Sequence, residues 1–311
     1  MIKRILVTGS NGTVGTRLCE ALIGRGYDVI GVDKKANAWS RAVDGITIRQ
    51  DLLDKEGMAA RVPKDVDLII HLAANPRVHD LVINPDLAFE NFQMTFNTLE
   101  FARKNGIKRF MFSSSREVYG NSDVHVNHED RLHVRLCASP YTASKIADEA
   151  RIWAYQRCYG LETIIFRFSN VYGMYDDSER VVPLFIRKAK KDEPITVFGK
   201  EKCLDFTYID DTVDGIMLAL EKFESVNNNT FNLAYGQGVT ILELAEQVKA
   251  LLKSKSTIDI GQPRTGEVIR YVADISKAKR NLGYKPLTSF KKGIELAIGW
   301  YNAVEDIEDV D

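Results

Sequence analysis

Apolar positions in the first half of the chain switch between two periods. Residues 2–8 are a short apolar run that leads into glycines, the pattern of a strand. Over residues 13–25 the apolar residues recur at helical spacing. Val14, Leu18 and Leu22 share a face with Ala21 beside them, and Gly26 stands where a helix stops. Tyr27 to Val32 reads as a second strand, closed by Asp33. The same reading predicts strands at 46–50, 66–72 and 108–113 and a helix over about 86–104. A second long helix runs from near Tyr141 past Trp153, followed by an apolar strand from Thr163 to Phe168. Strands alternating with helices in this way predict a parallel sheet covered on both faces.

Beyond residue 172 the pattern loosens. Helices are predicted near 181–191, 210–223, 240–252 and 289–303, separated by loops and short strands. Thr230 to Ala234 reads as a late strand that returns to the main sheet. The expected fold class is therefore α/β. A Rossmann-type doubly wound parallel sheet fills residues 1–172, with the returning strand near 230–234, and a smaller mixed α/β substrate lobe fills 173–311. The acidic tail, Glu305 to Asp311, is expected to fray. No internal repeat or low-complexity linker interrupts the chain.

Composition narrows the function classes. The 311 residues are 45% hydrophobic, enough for a sizeable core. The 42 Lys and Arg nearly cancel the 43 Asp and Glu, so the chain lacks the positive field that draws nucleic acid. Its N-terminal apolar run is too short for a signal-peptide core, and no stretch approaches the roughly 18 apolar residues of a membrane span. A cytoplasmic protein with neither membrane nor nucleic-acid partner is the expectation. Cys19, Cys137, Cys158 and Cys203 are too widely spaced for a metal or disulfide framework and read as reduced thiols. His125, His128, Glu129 and His133 fall at irregular offsets in the polar stretch 121–139, so no metal site is expected.

Chemistry begins at the first strand-to-helix turn, Gly9-Ser10-Asn11-Gly12-Thr13-Val14-Gly15. Gly9 permits a tight turn, Gly12 lets backbone approach a pyrophosphate, and Gly15 lets helix pack on strand. Free amides at the helix start, aided by the helix dipole, would meet the phosphates. Asp33 ends the next strand, where a carboxylate binds both adenosine ribose hydroxyls and repels a 2′-phosphate. NAD is expected over NADP, although Lys34 and Lys35 would attract a phosphate.

Three further segments fall at the carboxyl ends of the predicted strands. Ser113-Ser114-Ser115 closes one strand, and Tyr141 and Lys145, four apart, share a helix face. Tyrosine, with an ordinary pKa near 10, is a poor base at neutral pH. A nearby ammonium and a positive nicotinamide are expected to favour its phenolate. The lysine can also hold the nicotinamide ribose, and the serine can orient a sugar hydroxyl. Alone, this tyrosine–lysine spacing is an ordinary helix-face pair. Its place after the glycine turn and the serine run gives it weight.

Taken together these motifs resemble the extended short-chain dehydrogenase/reductase family, in its NAD-dependent nucleotide-sugar epimerase and dehydratase branch, over roughly residues 2–300. The family's glycine motif stands at Thr8 to Gly15, its Asp-Leu adenine contact at Asp51-Leu52, and its His-Leu-Ala-Ala turn at His71-Leu72-Ala73-Ala74. Asn91 matches the helix asparagine. Ser114 to Gly120 matches the segment that makes Ser115 the catalytic hydroxyl, and Ser139 to Lys145 carries the base pair. The resemblance implies cofactor contacts at Leu72, Ala73, Ala74, Asn91, Ser113 and Phe168. It places Asn170 on the diphosphate, Arg264 on phosphate and Glu267 on the nucleotide ribose. It also implies a nucleotide-sugar substrate, UDP-linked, and a homodimer through the helices near 86–104 and 141–157. The chain departs from the pattern at Leu204, where an arginine is usual and where Lys202 stands in for the charge, and at Ser169 and Met94.

Members of this branch begin with oxidation at sugar C4. A 4,6-dehydratase then uses an Asp-Glu pair after the active-site Ser or Thr. Here the pair is Arg116-Glu117, which lacks the general acid that would expel water. The expectation is 4-epimerisation, with UDP-glucose/galactose favoured because Tyr271 falls where bulk disfavours N-acetylated sugars in the family. Arg116 or Arg180 pairing with a uronate carboxylate stays open, as does dehydration or decarboxylation through Glu117. Glu117 also has a plainer role as an anchoring carboxylate paired with Arg116. A regulatory module that binds NAD without catalysis is the non-enzyme alternative.

Overall fold

The computed structural model describes residues 2–122, 124 and 126–308, the side chains of 305–308 excepted. Strand β1 (Arg4–Thr8) leads through the glycine turn into helix α1 (Thr13–Gly24), then β2 (Asp28–Asp33), α2 (Arg41–Gly45), β3 (Thr47–Arg49), α3 (Lys55–Arg61) and β4 (Leu68–His71). Next come α4 (Val78–Ile83), α5 (Asp86–Lys104), β5 (Arg109–Ser115), α6 (Pro140–Tyr159) and β6 (Glu162–Phe168). The sheet order is β3-β2-β1-β4-β5-β6 and every pairing is parallel. This is the doubly wound Rossmann-type sheet. Strand order reverses between β1 and β4, which opens a crevice at their carboxyl ends.

The strands alternate between two cores. Ile5 and Val7 pack with Leu18 and Leu22 of α1, while Leu6 packs with Leu99 and Phe101 of α5. Ile70 and Met111 belong to the first core; Ile69 and Phe110 belong to the second. Burial on both faces is why these strands read as nearly continuous apolar runs.

The remaining chain is β7 (Asn170–Tyr172), α7 (Val181–Lys190), β8 (Ile195–Phe198), β9 (Cys203–Tyr208), α8 (Ile209–Glu221), α9 (Phe223–Val226) and β10 (Asn229–Leu233), followed by β11 (Gly238–Thr240), α10 (Ile241–Leu252), β12 (Ile258–Gly261), β13 (Arg270–Tyr271), α11 (Ser276–Leu282) and α12 (Phe290–Glu308). Strand β10 returns to the main sheet and pairs in parallel with β6. Strands β7, β11 and β13 gather around β9, and β8 pairs with β12. Helix α8 docks on α1 through Arg17 Nε, 2.6 Å from Asp210 Oδ1.

One expectation changes here. The helix expected to end near 303 continues to Glu308, so the acidic tail is helical as far as it is described. The described residues of the polar stretch 121–139 are loop with a short 3-10 turn at Val134–Leu136. Of its histidines, His125 lies outside the described residues. His128 Nδ1 sits 3.2 Å from Asp274, and the Glu129 carboxylate accepts the Asn232 amide at 2.9 Å. Among the described residues no cluster of three or more His, Cys, Asp and Glu side chains is arranged to hold a metal ion. None of the described helices is long and apolar enough to cross a membrane.

Candidate active site

A single cleft of about 820 Å³ runs from Asp33 across the carboxyl ends of β1, β4 and β5 to Arg264 and Glu267. Its floor is the glycine turn. Gly9 has φ +73°, and a Cβ there would lie 2.7 Å from the Ala73 amide nitrogen. At Gly15 a Cβ would lie 2.0 Å from the Gly9 carbonyl oxygen. Both glycines are therefore demanded by the fold itself. Gly12 differs. Its φ is −77°, and a Cβ there would touch only the Gly9 oxygen at 3.4 Å. The protein's own packing leaves Gly12 optional, and the open space above it is the cradle a pyrophosphate requires.

Helix α1 has no side-chain cap at its N-terminus. Its first-turn amides therefore keep their donor capacity for an anion in the cleft. Asp33 is locked at the edge of this cradle, accepting the Asn11 amide at 3.0 Å and the Lys35 amide at 2.9 Å. A carboxylate retains lone pairs beyond these two bonds and suits a ribose diol. The residues thus fit a dinucleotide.

The reacting end lies where β5 meets α6. Ser139 caps α6 by accepting the Thr142 amide at 3.1 Å, and Pro140 occupies the first turn. That start fixes Tyr141 at the mouth of the helix and Lys145 one turn further in. The Ser115 hydroxyl faces the Tyr141 phenol closely enough to act on its charge and accepts the Glu117 amide at 3.2 Å. Lys145 donates to the Ser113 carbonyl at 2.8 Å, and its ammonium is 6.0 Å from the centre of the Tyr141 ring. Burial pulls the Lys145 pKa down to about 8, opposed by Asp148 and Glu149.

Without the cofactor's charge, burial pushes Tyr141 up to about 12, opposed chiefly by the neighbouring Ser115 hydroxyl. Lys145 is tied to the Ser113 carbonyl rather than to the phenol, so the protein alone does not supply the phenolate.

At the end away from the glycine turn the cleft is lined by long charged side chains. Arg116 and Glu117 pair at 2.7 Å, both buried, so the anchoring role weighed for Glu117 is present. Arg116 Nε also donates to the Asn170 side-chain oxygen at 3.2 Å, and the Asn170 amide donates to the Asp205 carbonyl at 3.0 Å. Lys202 sits on the approach to β9 with its ammonium 2.7 Å from Glu267, beside the buried Leu204. The Arg264 guanidinium stacks over Phe198 at 4.2 Å. Arg180 reaches Asp176 at 2.7 Å.

Almost all the residues singled out in the sequence line this one cleft. Gly9, Asn11, Gly12, Thr13, Val14, Gly15, Asp33, Lys34, Asp51, Leu52, Leu72, Ala73 and Ala74 line its cofactor end. Ser113, Ser115, Tyr141, Lys145 and Phe168 line its middle, and Arg116, Asn170, Arg264 and Glu267 its far end. Two residues do not. Asn91 is 1% exposed and is spent on Asn75, accepting its amide at 2.6 Å and donating to its carbonyl at 3.1 Å. It braces the loop that lines the cleft rather than the cleft itself. Tyr271 is also 1% exposed and stacks against Tyr119, behind the Arg116 guanidinium. Its bulk acts on Arg116, not on a sugar. The reading of the sequence did not single out Arg77, His79, Thr196 or Phe198, which also line the cleft. Thr196 and Phe198 sit on the four-residue strand β8, and Arg77 and His79 at the start of the six-residue helix α4, elements too short for periodicity to mark.

The profile of the NAD dependent epimerase/dehydratase family matches residues 5–234. A putative UDP-glucose 4-epimerase of Methanocaldococcus jannaschii is 33% identical over 304 residues, covering 95% of this chain and 97% of the relative. A UDP-glucuronate 4-epimerase of Arabidopsis thaliana is 32% identical, covering 96% of this chain and 76% of the relative. The crystal structure of a Thermotoga maritima UDP-glucose 4-epimerase with UDP-glucose superposes with a TM-score of 0.90 at 30% identity. That match covers 97% of this chain and 99% of the other.

Proposed function

The chain belongs to the NAD dependent epimerase/dehydratase family, and from that premise we propose that it inverts C4 of a UDP-linked hexose, with UDP-glucose and UDP-galactose as the pair interconverted. The observation that carries this reading is the meeting of Ser115, Tyr141 and Lys145 in one cleft of about 820 Å³ that also takes in the glycine turn, Asp33, Arg264 and Glu267. In this reading residues 1–172 hold NAD, and residues 173–311, apart from β10, hold the nucleotide sugar. The chain works as a homodimer across α5 and α6. Support for the dimer comes from exposed Phe89 and Phe96 on the first helix and Trp153 and Tyr159 on the second.

Bound NAD supplies the acceptor and donor of the C4 hydride. The glycine turn, the α1 amides and Asp33 hold it. Tyr141 takes the proton from the sugar O4 and returns it after the sugar has turned over. Ser115 bridges the two oxygens and shares that proton. Lys145 adds positive charge, which works with the cofactor's own to bring the Tyr141 phenol down from its high resting pKa. Arg264, Lys202 and Glu267 hold the nucleotide, so the sugar can rotate while its diphosphate stays fixed.

Proton NMR of the sugar anomeric region tests the reaction, using purified protein without added oxidant on UDP-glucose, UDP-N-acetylglucosamine, UDP-glucuronate and dTDP-glucose in turn. A 4-epimer signal from UDP-glucose is expected. A 4-keto-6-deoxy sugar or a pentose overturns the reading and moves Glu117 into the chemistry. Tyr141→Phe should lower turnover by about 10²–10⁴-fold while retaining NAD.

One observation favours a second reading, a UDP-uronate substrate. Arg116 and Arg180 both bring positive charge to the Tyr141 hydroxyl against the negative charge of Glu117, and a sugar carboxylate could take the place of Glu117 on Arg116. A 4-epimer from UDP-glucuronate alone would establish it.

A further inference from the structure

One turn below Lys145 on α6 lies a second carboxylate, Asp148, which the chemistry above does not use. It is fully buried, at 0% exposed. The Thr95 hydroxyl holds one of its oxygens at 2.9 Å. The other oxygen, Oδ1, has no hydrogen-bond partner, although Arg151 Nη1 stands 3.7 Å away. A buried carboxylate with an unmade bond is costly and calls for an explanation.

A line of hydrogen bonds leads from Asp148 back to the glycine turn. His71 Nε2 is 3.2 Å from Thr95 Oγ1, and the Thr8 hydroxyl is 2.6 Å from His71 Nδ1. The direction of each bond follows from the far end. A carboxylate only accepts, so Thr95 donates to Asp148 and must itself accept from His71 Nε2–H. Nδ1 then accepts from Thr8. His71 stays neutral, its pKa drawn down to about 3 by burial and by the Lys145 charge. Thr95 also lies 3.1 Å from the Asn91 carbonyl, an alternative acceptor when Asp148 takes up a proton.

We propose that Asp148 is a positioning residue of this active site, the counter-charge that keeps the buried Lys145 ammonium protonated. The inference rests on Lys145 having the role described above. Asp148 follows Lys145 by three positions on α6, so the two side chains share a helix face, and both are buried. Of the two carboxylates whose charge opposes the cost of burying Lys145, Asp148 acts more strongly than Glu149. Glu149 is already spent. It takes Arg167 Nε at 3.0 Å and Nη2 at 2.7 Å, and the Ser114 hydroxyl at 2.5 Å. Its charge is matched by an arginine that is itself fully buried.

Asp148 has no such mate. Arg151 is drawn off by the Phe92 carbonyl at 2.7 Å and lies over the Phe92 ring at 3.3 Å. From α5 the uncharged Thr95 holds the Asp148 carboxylate, and from β4 the neutral His71 stands behind Thr95. The negative charge of Asp148 is thus held in a dry, rigid socket with the Lys145 ammonium as its beneficiary. Direct contact is not required, because Coulomb interaction between buried charges falls off slowly. The carboxylate also leaves Nζ free to bond the Ser113 carbonyl and to reach into the cleft.

The test replaces Asp148 by its isostere, Asp148→Asn, in the full-length chain. Two readouts are taken. With lysines labelled by ¹³C at Cε and the Lys145 signal assigned by loss in Lys145→Arg, the Lys145 pKa is followed by NMR. It is expected to fall by one unit or more. In parallel, the alkaline limb of the pH–rate profile should move to lower pH by a matching amount, with fold stability and NAD content retained. A purely structural role would instead scale activity down equally at every pH.

A Lys145 titration and a pH profile that both stay where they are in the parent protein overturn the proposal. If Asp148→Asn does not fold, Thr95→Val carries the same test. It leaves the carboxylate but removes its donor, and is expected to move Lys145 in the same direction by a smaller amount. Tyr141→Phe is run alongside. An inactive Tyr141→Phe with an unmoved Lys145 titration sinks this inference alone, whereas an active Tyr141→Phe sinks the catalytic reading on which it rests.

Discussion

The two walls of the cleft are built on different principles. The cofactor wall is backbone and small residues at the ends of parallel strands, held by close approach. The Gly9 and Gly15 positions leave no room for a methyl group. The opposite wall, the sugar wall of the proposed function, is made of long side chains on short strands and loops, held by ion pairs such as Arg116–Glu117, Lys202–Glu267 and Arg180–Asp176. A wall defined by repulsion tolerates almost no change. A wall defined by mutual attraction can trade one charged partner for another, which is where a family would vary its substrates on one scaffold.

The sharpest way to break this comparison lies within the glycine turn. Gly15→Ala sets a methyl 2.0 Å from the Gly9 oxygen and should cost more than about 4 kcal/mol or abolish folding. Gly12→Ala meets its first neighbour at 3.4 Å, so chemical denaturation should find it within about 1 kcal/mol of the parent. Its NAD content after purification should nevertheless collapse. Equal destabilisation by both substitutions would show that Gly12 serves the fold and not the cofactor.

On the opposite wall the expected effect is smaller and of another kind. Lys202→Ala should raise KM for the UDP-sugar about 10-fold, in line with the roughly 1.5–3 kcal/mol of a charged hydrogen bond, with NAD content unchanged. A fall in bound NAD would mean that the two walls are not separable.

The smallest expected effect is a pH response that belongs to the cofactor wall alone. The His71 pKa is lowered to about 3 from an ordinary 6.5. As pH falls, the unfolded chain takes up a proton at this residue near 6.5 and the folded chain does not until about 3. Stability from this group is therefore present above 6.5 and is lost as pH falls towards 3. Between pH 7 and 6 the loss is about 0.7 kcal/mol. Urea titrations of the parent and His71→Gln at the two pH values should differ by that amount in their pH dependence.

The same division explains what could be read before the structure was known. Regular alternation of period and a fixed glycine spacing exposed β1, α1, Asp33 and the Tyr141–Lys145 pair, because each obeys a local geometric rule. The sugar wall obeys no such rule. Tyr271 looked like a cleft residue, but it is turned inward behind Arg116 by its pairing on β9. Asn91 matched a motif, yet its partner is Asn75 on a loop with no regular pattern. No motif or period marks Asp148, since its surroundings are set by Thr95 on α5 and, behind it, His71 on β4. Legibility fails where a residue's role is set by long-range contacts.

The return of β10 to the edge of the main sheet carries a consequence in time. Strand β6 ends at Phe168 and its outer neighbour begins at Asn229. During synthesis about 60 residues must therefore be added before the edge is sealed, which takes roughly 3–12 s at translation rates of about 5–20 residues per second. Over that interval the nascent chain presents Thr163 to Phe168, an apolar strand with unpaired amides and carbonyls, to everything near the ribosome. Slow codons or a pause in the stretch between β6 and β10 would lengthen that exposure. Yield in the cell is thus tied to the speed at which a part of the chain remote from the catalytic groups is made.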